Sequence, residues 1–257
     1  MTRVLIVIPA RLGSERLREK VLAELQGKPM IQWVWEQAKA ARLASEVIIA
    51  TDSEQILQRV SAFGGKAMLT STQHSSGTER VAEVAAKLNF EIVVNLQGDE
   101  PLFSPVALDQ LIETMLESEA IQMASLRVEI LDYHDYVNPS VIKVICDNQD
   151  NAIYFSRHPI PFYRGREAPL EQWRRDGFRP PELLPPAYKH LGIYGFRSNF
   201  LSALVHLPPT PLEQAEKLEQ LRALMWGFKI KVPETAYDSV SVDTAEDLEK
   251  VRKMMGG

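Results

Sequence analysis

The sequence predicts an α/β protein with a mostly parallel sheet, helices on both faces of that sheet, and an antiparallel insertion in the second half. In the first half, short apolar runs alternate with segments of helical period, which is the pattern of strand–helix–strand units. The run over Arg3–Pro9 is continuous in Val, Leu and Ile, as is typical of a central strand covered on both faces. After about residue 120 the apolar runs follow one another through short polar connections, which indicates antiparallel pairing.

Helical spacing and apolar runs define the elements of the first half. In the first predicted helix, Ile31, Val34 and Ala38 recur at helical spacing. The second helix follows the capping residues Thr51–Ser53 and ends at Gly64-Gly65. The predicted strands are Arg3–Pro9, Glu46–Ala50, Lys66–Leu69 and Glu91–Leu96, and the predicted helices are Pro29–Leu43, Glu54–Phe63 and Thr78–Leu88.

The second half is predicted to contain strands, one long loop and two helices. The polar run Asp147–Asn151 predicts a hairpin loop, and the Pro- and Arg-rich segment Arg164–Pro186 predicts a long irregular surface loop. Leucines at helical spacing predict a single helix over Pro211–Trp226, and Thr244–Met254 closes the chain as a helix. The predicted strands are Gln122–Val128, Val141–Cys146, Ala152–Ser156, His190–Arg197 and Lys229–Val232.

Composition excludes several classes of protein. The chain has 257 residues, a net charge of −5 and one cysteine, Cys146. The charge argues against a nucleic-acid-coating protein, which needs a basic face. A lone cysteine excludes an internal disulfide and a cysteine-based zinc site, and fits a reducing cytoplasm. No apolar stretch reaches the roughly 18 residues that cross a bilayer, and no signal peptide is expected.

A cationic loop follows the first strand, where ligands of open α/β sheets bind. Arginine forks suit phosphate oxygens, lysine adds a compact charge, and Ser14 can donate a hydroxyl to the same group. Gly13 allows close backbone approach. A solvated loop with ion pairs to Glu15 and Glu19 is the alternative. The Walker and Rossmann glycine motifs are absent from the sequence. The cations of this loop are Arg11, Arg16, Arg18 and Lys20.

Two acidic motifs are candidates for a metal site. The strand Glu91–Leu96 delivers Asp99 and Glu100 to its carboxyl end, and Mg²⁺ commonly uses one or two carboxylates plus substrate phosphates. Asp243 could supply a second carboxylate just before the last helix. The simpler interpretations are a turn at Gly98-Asp99 and a capping box between Thr244 and Asp247.

Two further motifs, around His190 and around Glu219, suggest a binding surface only when they are considered together. Strand alternation places His190, Gly192 and Tyr194 on one face, although a lone histidine is more often structural. Glu219 and Gln220 would ordinarily belong to the polar face of an amphipathic helix.

Taken in order, the motifs resemble those of the CMP-KDO synthetases, the 3-deoxy-manno-octulosonate cytidylyltransferases, over nearly the whole chain. Each motif is weak alone, whereas the ordered set is specific. The matching segments are Ile8–Leu17, Lys20, Gly27–Met30, Ala50–Asp52, Ser76–Arg80, Gln97–Pro101, Tyr154–Arg157, His190–Tyr194, Leu218–Leu221 and Val242–Thr244.

The resemblance implies a Rossmann-like nucleotidyltransferase domain over residues 1–257 that joins CTP and KDO, releases pyrophosphate with Mg²⁺, and activates KDO for lipopolysaccharide synthesis. It also implies a cytoplasmic homodimer without nucleic-acid partners, and a sugar-binding and dimerisation subregion over 121–197. By motif, the catalytic residues would be Lys20, Arg11, Arg16, Asp99 and Asp243, and Mg²⁺ would bind Asp99 and Asp243. The nucleotide would contact Arg11, Ser14, Lys20, Gly77, Thr78 and Gln97. The sugar acid would contact Arg157, His190, Tyr194, Glu219 and Gln220.

Departures from the family pattern keep related substrates open. Arg18-Glu19 stands before Lys20 where the family commonly has Pro-Gly, and Ser241 stands where Gly is frequent. An amino-KDO or sialic acid could therefore be the acceptor. A nucleotide-binding regulator without catalysis is a further alternative, which the presence of Lys20, Asp99 and Asp243 disfavours.

Overall fold

A computed structural model of the protein describes residues 2–13, 17 and 19–256. The strands are β1 (Val4–Ala10), β2 (Glu24–Leu25), β3 (Lys28–Pro29), β4 (Glu46–Thr51), β5 (Ala67–Leu69), β6 (Ile92–Asn95), β7 (Met123–Glu129), β8 (Lys143–Cys146), β9 (Ala152–Ser156) and β10 (Tyr188–Arg197). The helices are α1 (Met30–Ala40), α2 (Glu54–Ala62), α3 (Gly77–Ala86), α4 (Pro105–Leu116), α5 (Tyr133–Val137), α6 (Glu167–Asp176), α7 (Ser198–Leu204), α8 (Pro211–Glu216), α9 (Gln220–Met225) and α10 (Ala245–Met255).

The chain divides into two compact units. The first contains Met1–Glu119, Gly192–His206 and Tyr237–Gly257, and the second contains Ala120–Leu191 and Leu207–Ala236. Strand β10 contributes its beginning to the second unit and its end to the first. In the part of the chain that the structure describes, no helix has the length and apolar character needed to cross a bilayer.

The first unit contains the predicted parallel sheet. Its strands lie in the order β5-β4-β1-β6-β10, with β5, β4, β1 and β6 parallel and the end of β10 antiparallel to β6. Strand β1 is buried along nearly its whole length, as its uninterrupted apolar run predicts. Helices α1 and α3 pack against β1, α4 packs against α1, and α7 against α3. The predicted fold class is confirmed.

The second unit contains the predicted antiparallel strands. Strand β8 pairs with β9 and, through Tyr188 and Lys189, with the beginning of β10. The hairpin predicted at Asp147–Asn151 joins β8 and β9, and its backbone closes through a bond from Asp147 N to Asn151 O of 2.8 Å. A local core surrounds the fully buried Trp173, whose indole nitrogen donates to Leu131 O at 2.7 Å.

Three predicted elements are wrong in detail. The segment Arg164–Pro186 is not wholly irregular, because it contains α6, which inserts Trp173 into the local core. The helix predicted over Pro211–Trp226 is two helices, since Lys217 adopts a positive φ of 54° between α8 and α9. The strand predicted at Lys229–Val232 is reduced to isolated bridges at Lys231, which pairs with Ala124 and Asn151.

Candidate functional site

A polar pocket of about 420 Å³ opens in the first unit at the carboxyl ends of β1 and β6. This is the edge at which open α/β sheets bind their ligands. The pocket combines the loop after β1, the start of α3, the turn after β6 and the segment before α10. Its lining includes Arg11, Lys20, His74, Gly77, Arg80, Gln97, Asp99 and Asp243.

The centre of the pocket is an ion-paired triad. The Lys20 ammonium lies 2.6 Å from Asp99 Oδ2 and 2.9 Å from Asp243 Oδ1. Burial acts to lower the pKa of Lys20, but the charges and hydrogen bonds of Asp99 and Asp243 outweigh it and raise the pKa above its ordinary value. Two carboxylates from distant segments thus converge on one ammonium group.

Backbone and cap contacts hold the two carboxylates in place. Val242 N donates to Asp99 O at 2.9 Å, which ties the turn after β6 to the segment before α10. Helix α10 begins with a capping box between Thr244 and Asp247, and Asp247 Oδ2 also accepts from Asp243 N at 3.1 Å. The capping interpretation of Thr244 is confirmed, and it leaves the Asp243 carboxylate directed to Lys20.

The start of α3 forms the opposite side of the pocket. Ser76 caps the helix by accepting from Glu79 N at 3.2 Å, and Gly77 lines the pocket as the first helical residue. A helix N-terminus favours phosphate because its backbone N–H groups and dipole point outward. Gly98 permits a tight turn against Pro9, since a Cβ at Gly98 would stand 2.8 Å from Pro9 O.

Asn95 links two of the predicted nucleotide-binding residues, Gln97 and Thr78, through hydrogen bonds. Gln97 Nε2 donates to Asn95 Oδ1 at 3.1 Å, and Asn95 Nδ2 donates to Thr78 Oγ1 at 3.4 Å. Gln97 lines the pocket, whereas Thr78 is buried and lies outside its lining. Of the loop cations, Arg11 and Lys20 line the pocket. Ser14 and Arg16 lie outside the described residues.

Among the titratable residues that line the pocket, Arg80 and His74 were not site candidates in the sequence analysis. The buried guanidinium of Arg80 contacts Asp52 at 2.7 Å and also donates to Thr70 Oγ1. His74 Nε2 lies 2.6 Å from Glu83 Oε2. The motif Ser76–Arg80 contained the signal for Arg80, but sequence spacing does not reveal that the side chain turns toward the pocket.

Arg157, predicted to hold a sugar carboxylate, contacts backbone carbonyls in the second unit. Its guanidinium donates to Glu216 O at 2.6 Å, Pro139 O at 3.0 Å and Lys217 O at 3.3 Å. The Glu216 carboxylate in turn accepts from Arg157 N at 3.0 Å. Three of the five guanidinium N–H groups are therefore used within the protein.

The other predicted sugar residues occupy both units. His190 is 6% exposed and packs edge-on against Phe155 with ring centroids 4.9 Å apart. Burial lowers the pKa of His190 to about 3, so its ring is neutral at pH 7. Gln220 is buried at the start of α9, preceded by Glu219. Tyr194 belongs to the first unit and stands opposite Asn95 in the β10–β6 pair.

Comparison with known proteins places these features in a family. Residues 5–230 match the sequence signature described as cytidylyltransferase. The 3-deoxy-manno-octulosonate cytidylyltransferases of Geobacter sulfurreducens and Geotalea uraniireducens are 48% and 47% identical to the chain, covering 95% and 97% of it and 96% and 97% of their own lengths. A solved structure of CMP:2-keto-3-deoxy-manno-octonic acid synthetase complexed with CTP superposes with a TM-score of 0.89 at 40% identity, over 99% of both chains.

Proposed function

The chain belongs to the family of 3-deoxy-manno-octulosonate cytidylyltransferases, and from that membership we propose that it joins CTP to 3-deoxy-manno-octulosonate (KDO). The products are CMP-KDO and pyrophosphate. The observation that carries the proposal is the convergence of Lys20, Asp99 and Asp243 in one pocket beside the start of α3. Binding of a nucleotide alone does not require two carboxylates opposed to a lysine.

The proposed reaction is an in-line displacement at phosphorus. The anomeric hydroxyl oxygen of KDO forms a bond to the α-phosphorus and releases its proton to solvent. The bond between the α-phosphorus and the oxygen that bridges it to the β-phosphorus breaks, and pyrophosphate leaves with that oxygen. Such reactions depend mainly on positioning and on stabilisation of developing negative charge. Arg11 and Lys20 supply positive charge at the pocket, and the α3 N-terminus adds backbone donors.

The donor set fits Mg²⁺. Asp99 and Asp243 already direct oxygens at one cationic group, the Lys20 ammonium. Within the residues described by the structure, no cluster of three or more acidic, histidine or cysteine ligands occurs, which suits an ion that completes its shell with phosphate oxygens and water. When bound, Mg²⁺ would act as a Lewis acid and template for the triphosphate. Asp99 and Asp243 would hold it.

We assign the sugar acid to Arg157, His190, Tyr194, Glu219 and Gln220 by family motif. Arg157 retains two N–H donors beyond its contacts to backbone carbonyls, enough for a carboxylate. His190, being neutral, would offer a hydrogen bond rather than a charge. The proposal extends to a cytoplasmic homodimer that activates KDO for lipopolysaccharide synthesis.

Pyrophosphate release tests activity, nucleotide and acceptor together. We expect release with CTP, Mg²⁺ and KDO, and at least about 10-fold less when an amino-KDO or sialic acid replaces KDO. Asp99→Asn should lower turnover by about 100-fold or more at unchanged fold, because the cation loses a ligand. The matched control is Asp176→Asn, which removes an exposed carboxylate of α6.

Two results would contradict the proposal. Near-normal turnover of Asp99→Asn would contradict the assignment of Asp99 as a ligand of Mg²⁺. Tight CTP binding without pyrophosphate release for every acceptor would favour a nucleotide-binding regulator.

A further inference from the structure

A second contact joins the two segments that carry the metal carboxylates. Ser239 Oγ donates to Glu100 Oε2 across 139 positions of the chain. Both residues are only 6% exposed. A carboxylate that leaves water needs strong hydrogen bonds to compensate for desolvation, so a buried Glu100 must be held in a defined position.

Glu100 and Ser239 lie close in sequence to the two candidate metal carboxylates. Glu100 directly follows Asp99, and Ser239 lies four residues before Asp243. The backbone bond from Val242 N to Asp99 O, at 2.9 Å, joins the same two segments. A main-chain contact and a contact between buried side chains therefore both connect the segments that present Asp99 and Asp243 to Lys20.

The other oxygen of Glu100 faces strand β10. A Cβ built on Gly192 would stand 3.2 Å from Glu100 Oε1, so the carboxylate lies against the backbone of this strand. Gly192 precedes Tyr194, one of the predicted sugar residues, by two positions. A larger residue at position 192 would push against Glu100 and, through it, against the turn that carries Asp99.

We propose that Glu100 and Ser239 are positioning residues that fix the separation of Asp99 and Asp243 and thereby the affinity for a divalent cation. Neither residue is among those that line the pocket. The inference rests on the proposed function, because it concerns the metal pair of that reaction. Outer contacts of this kind set the orientation of ligand carboxylates, and their loss typically weakens metal binding by about 10–100-fold.

Mn²⁺ binding to the protein, without and with CTP, followed by electron paramagnetic resonance of the unbound ion, tests this proposal. We expect Ser239→Ala to weaken Mn²⁺ binding by about 10-fold or more. Ser239→Thr keeps a hydroxyl and should restore most of the affinity. The matched control is Thr114→Val, which removes a hydroxyl that is equally buried and donates to Gln110 O within α4.

Glu100→Gln gives an independent result if Ser239→Ala does not fold. It preserves the shape and one acceptor oxygen of the side chain but removes the charge, so we expect a loss of Mn²⁺ affinity smaller than that of Ser239→Ala. Thermal melting of each variant identifies those that are folded at the measuring temperature.

The outcomes separate this inference from the proposed function. If the wild-type protein binds no Mn²⁺ either alone or with CTP, or if Asp99→Asn binds it normally, the metal site itself is wrong. If Asp99→Asn loses Mn²⁺ while Ser239→Ala and Glu100→Gln keep wild-type affinity, the positioning role alone is overturned. An equal loss in Thr114→Val would assign the effect to general destabilisation and would also overturn it.

Discussion

Lys20 balances the charge of the site before any substrate arrives. Its ammonium contacts both Asp99 and Asp243, so the two carboxylates face a shared cation rather than each other. The pKa of Lys20 is raised above its ordinary value because these contacts outweigh burial. Lys20 is therefore protonated at neutral pH. A triphosphate entering the pocket meets a charged lysine, and a divalent cation bound with it would take the place of the Lys20 ammonium at the two carboxylates.

His190 should make the stability of the protein depend on pH. Burial lowers its pKa to about 3, against an ordinary value of 6.5, so the unfolded chain binds the proton more tightly than the folded one. The free energy of unfolding should therefore fall as pH drops below about 6.5, by about 2 kcal/mol at pH 5 from this group, and continue to fall until about pH 3. Urea unfolding at about pH 7.5 and about pH 5 measures the difference.

The matched comparison uses two histidines. His190→Gln should reduce the pH dependence, whereas His206→Gln, at an exposed position, should leave it unchanged. Equal pH dependence in all three proteins would show that His190 does not remain neutral when folded.

Single residues of the site were predictable to the extent that strand ends determine them. Lys20 and Asp99 follow apolar runs whose carboxyl ends meet at one edge of the sheet, and the structure brings them together. The burial of His190 was not predictable, because alternation assigns residues to a face without stating what covers that face. Phe155, which covers it, comes from another strand.

The break between α8 and α9 shows how tertiary contacts override a helical period. Leucine spacing predicts one helix over Pro211–Trp226. In the structure, the carbonyls of Glu216 and Lys217 accept from the Arg157 guanidinium, and Lys217 adopts a left-handed conformation. The break gives Glu219 and Gln220 a helix start of their own. No local sequence signal identifies a guanidinium about 60 positions away as the cause.

The capping box of α10 should link helix stability to the site. Thr244→Ala removes the bond from Asp247 N to Thr244 Oγ1, and we expect it to lower the free energy of unfolding by about 1 kcal/mol. Because Asp247 also accepts from Asp243 N, the same change should weaken Mn²⁺ binding. Urea unfolding and Mn²⁺ titration measure the two effects.

Helix α8 provides the control, because it begins with a second capping box between Thr210 and Glu213. Thr210→Ala should cost a similar free energy of unfolding without changing Mn²⁺ affinity. If both variants changed Mn²⁺ binding equally, the cap of α10 would have no specific role at the site.

For the whole molecule, the alternation of strands and helices was sufficient to predict the sheet of the first unit. The division into two units was harder to predict from the sequence. The second unit contains Leu207–Ala236, which returns after the first unit has been re-entered at Gly192–His206. The sugar-binding and dimerisation subregion over 121–197 stays a prediction. Hydrophobic period reports which residues are buried locally, not which distant segments share a core.

Self-association is the remaining prediction for the whole molecule. In the second unit, β9 ends the strand order, and its Ile153 side chain is 61% exposed. Phe162 and Phe178 of the same unit are 83% and 82% exposed. Exposed apolar side chains favour contact with another chain, and a lysine among them opposes that contact. We expect a homodimer of the wild-type protein, and Ile153→Lys should weaken it by at least about 10-fold in dissociation constant. Sedimentation velocity over a concentration series measures this dissociation constant.

Leu69→Lys is the matched control, since Leu69 is 42% exposed on β5, which ends the strand order of the first unit. A wild-type monomer at every concentration would contradict the homodimer, and a dimer equally stable in both variants would exclude the β9 edge as its interface.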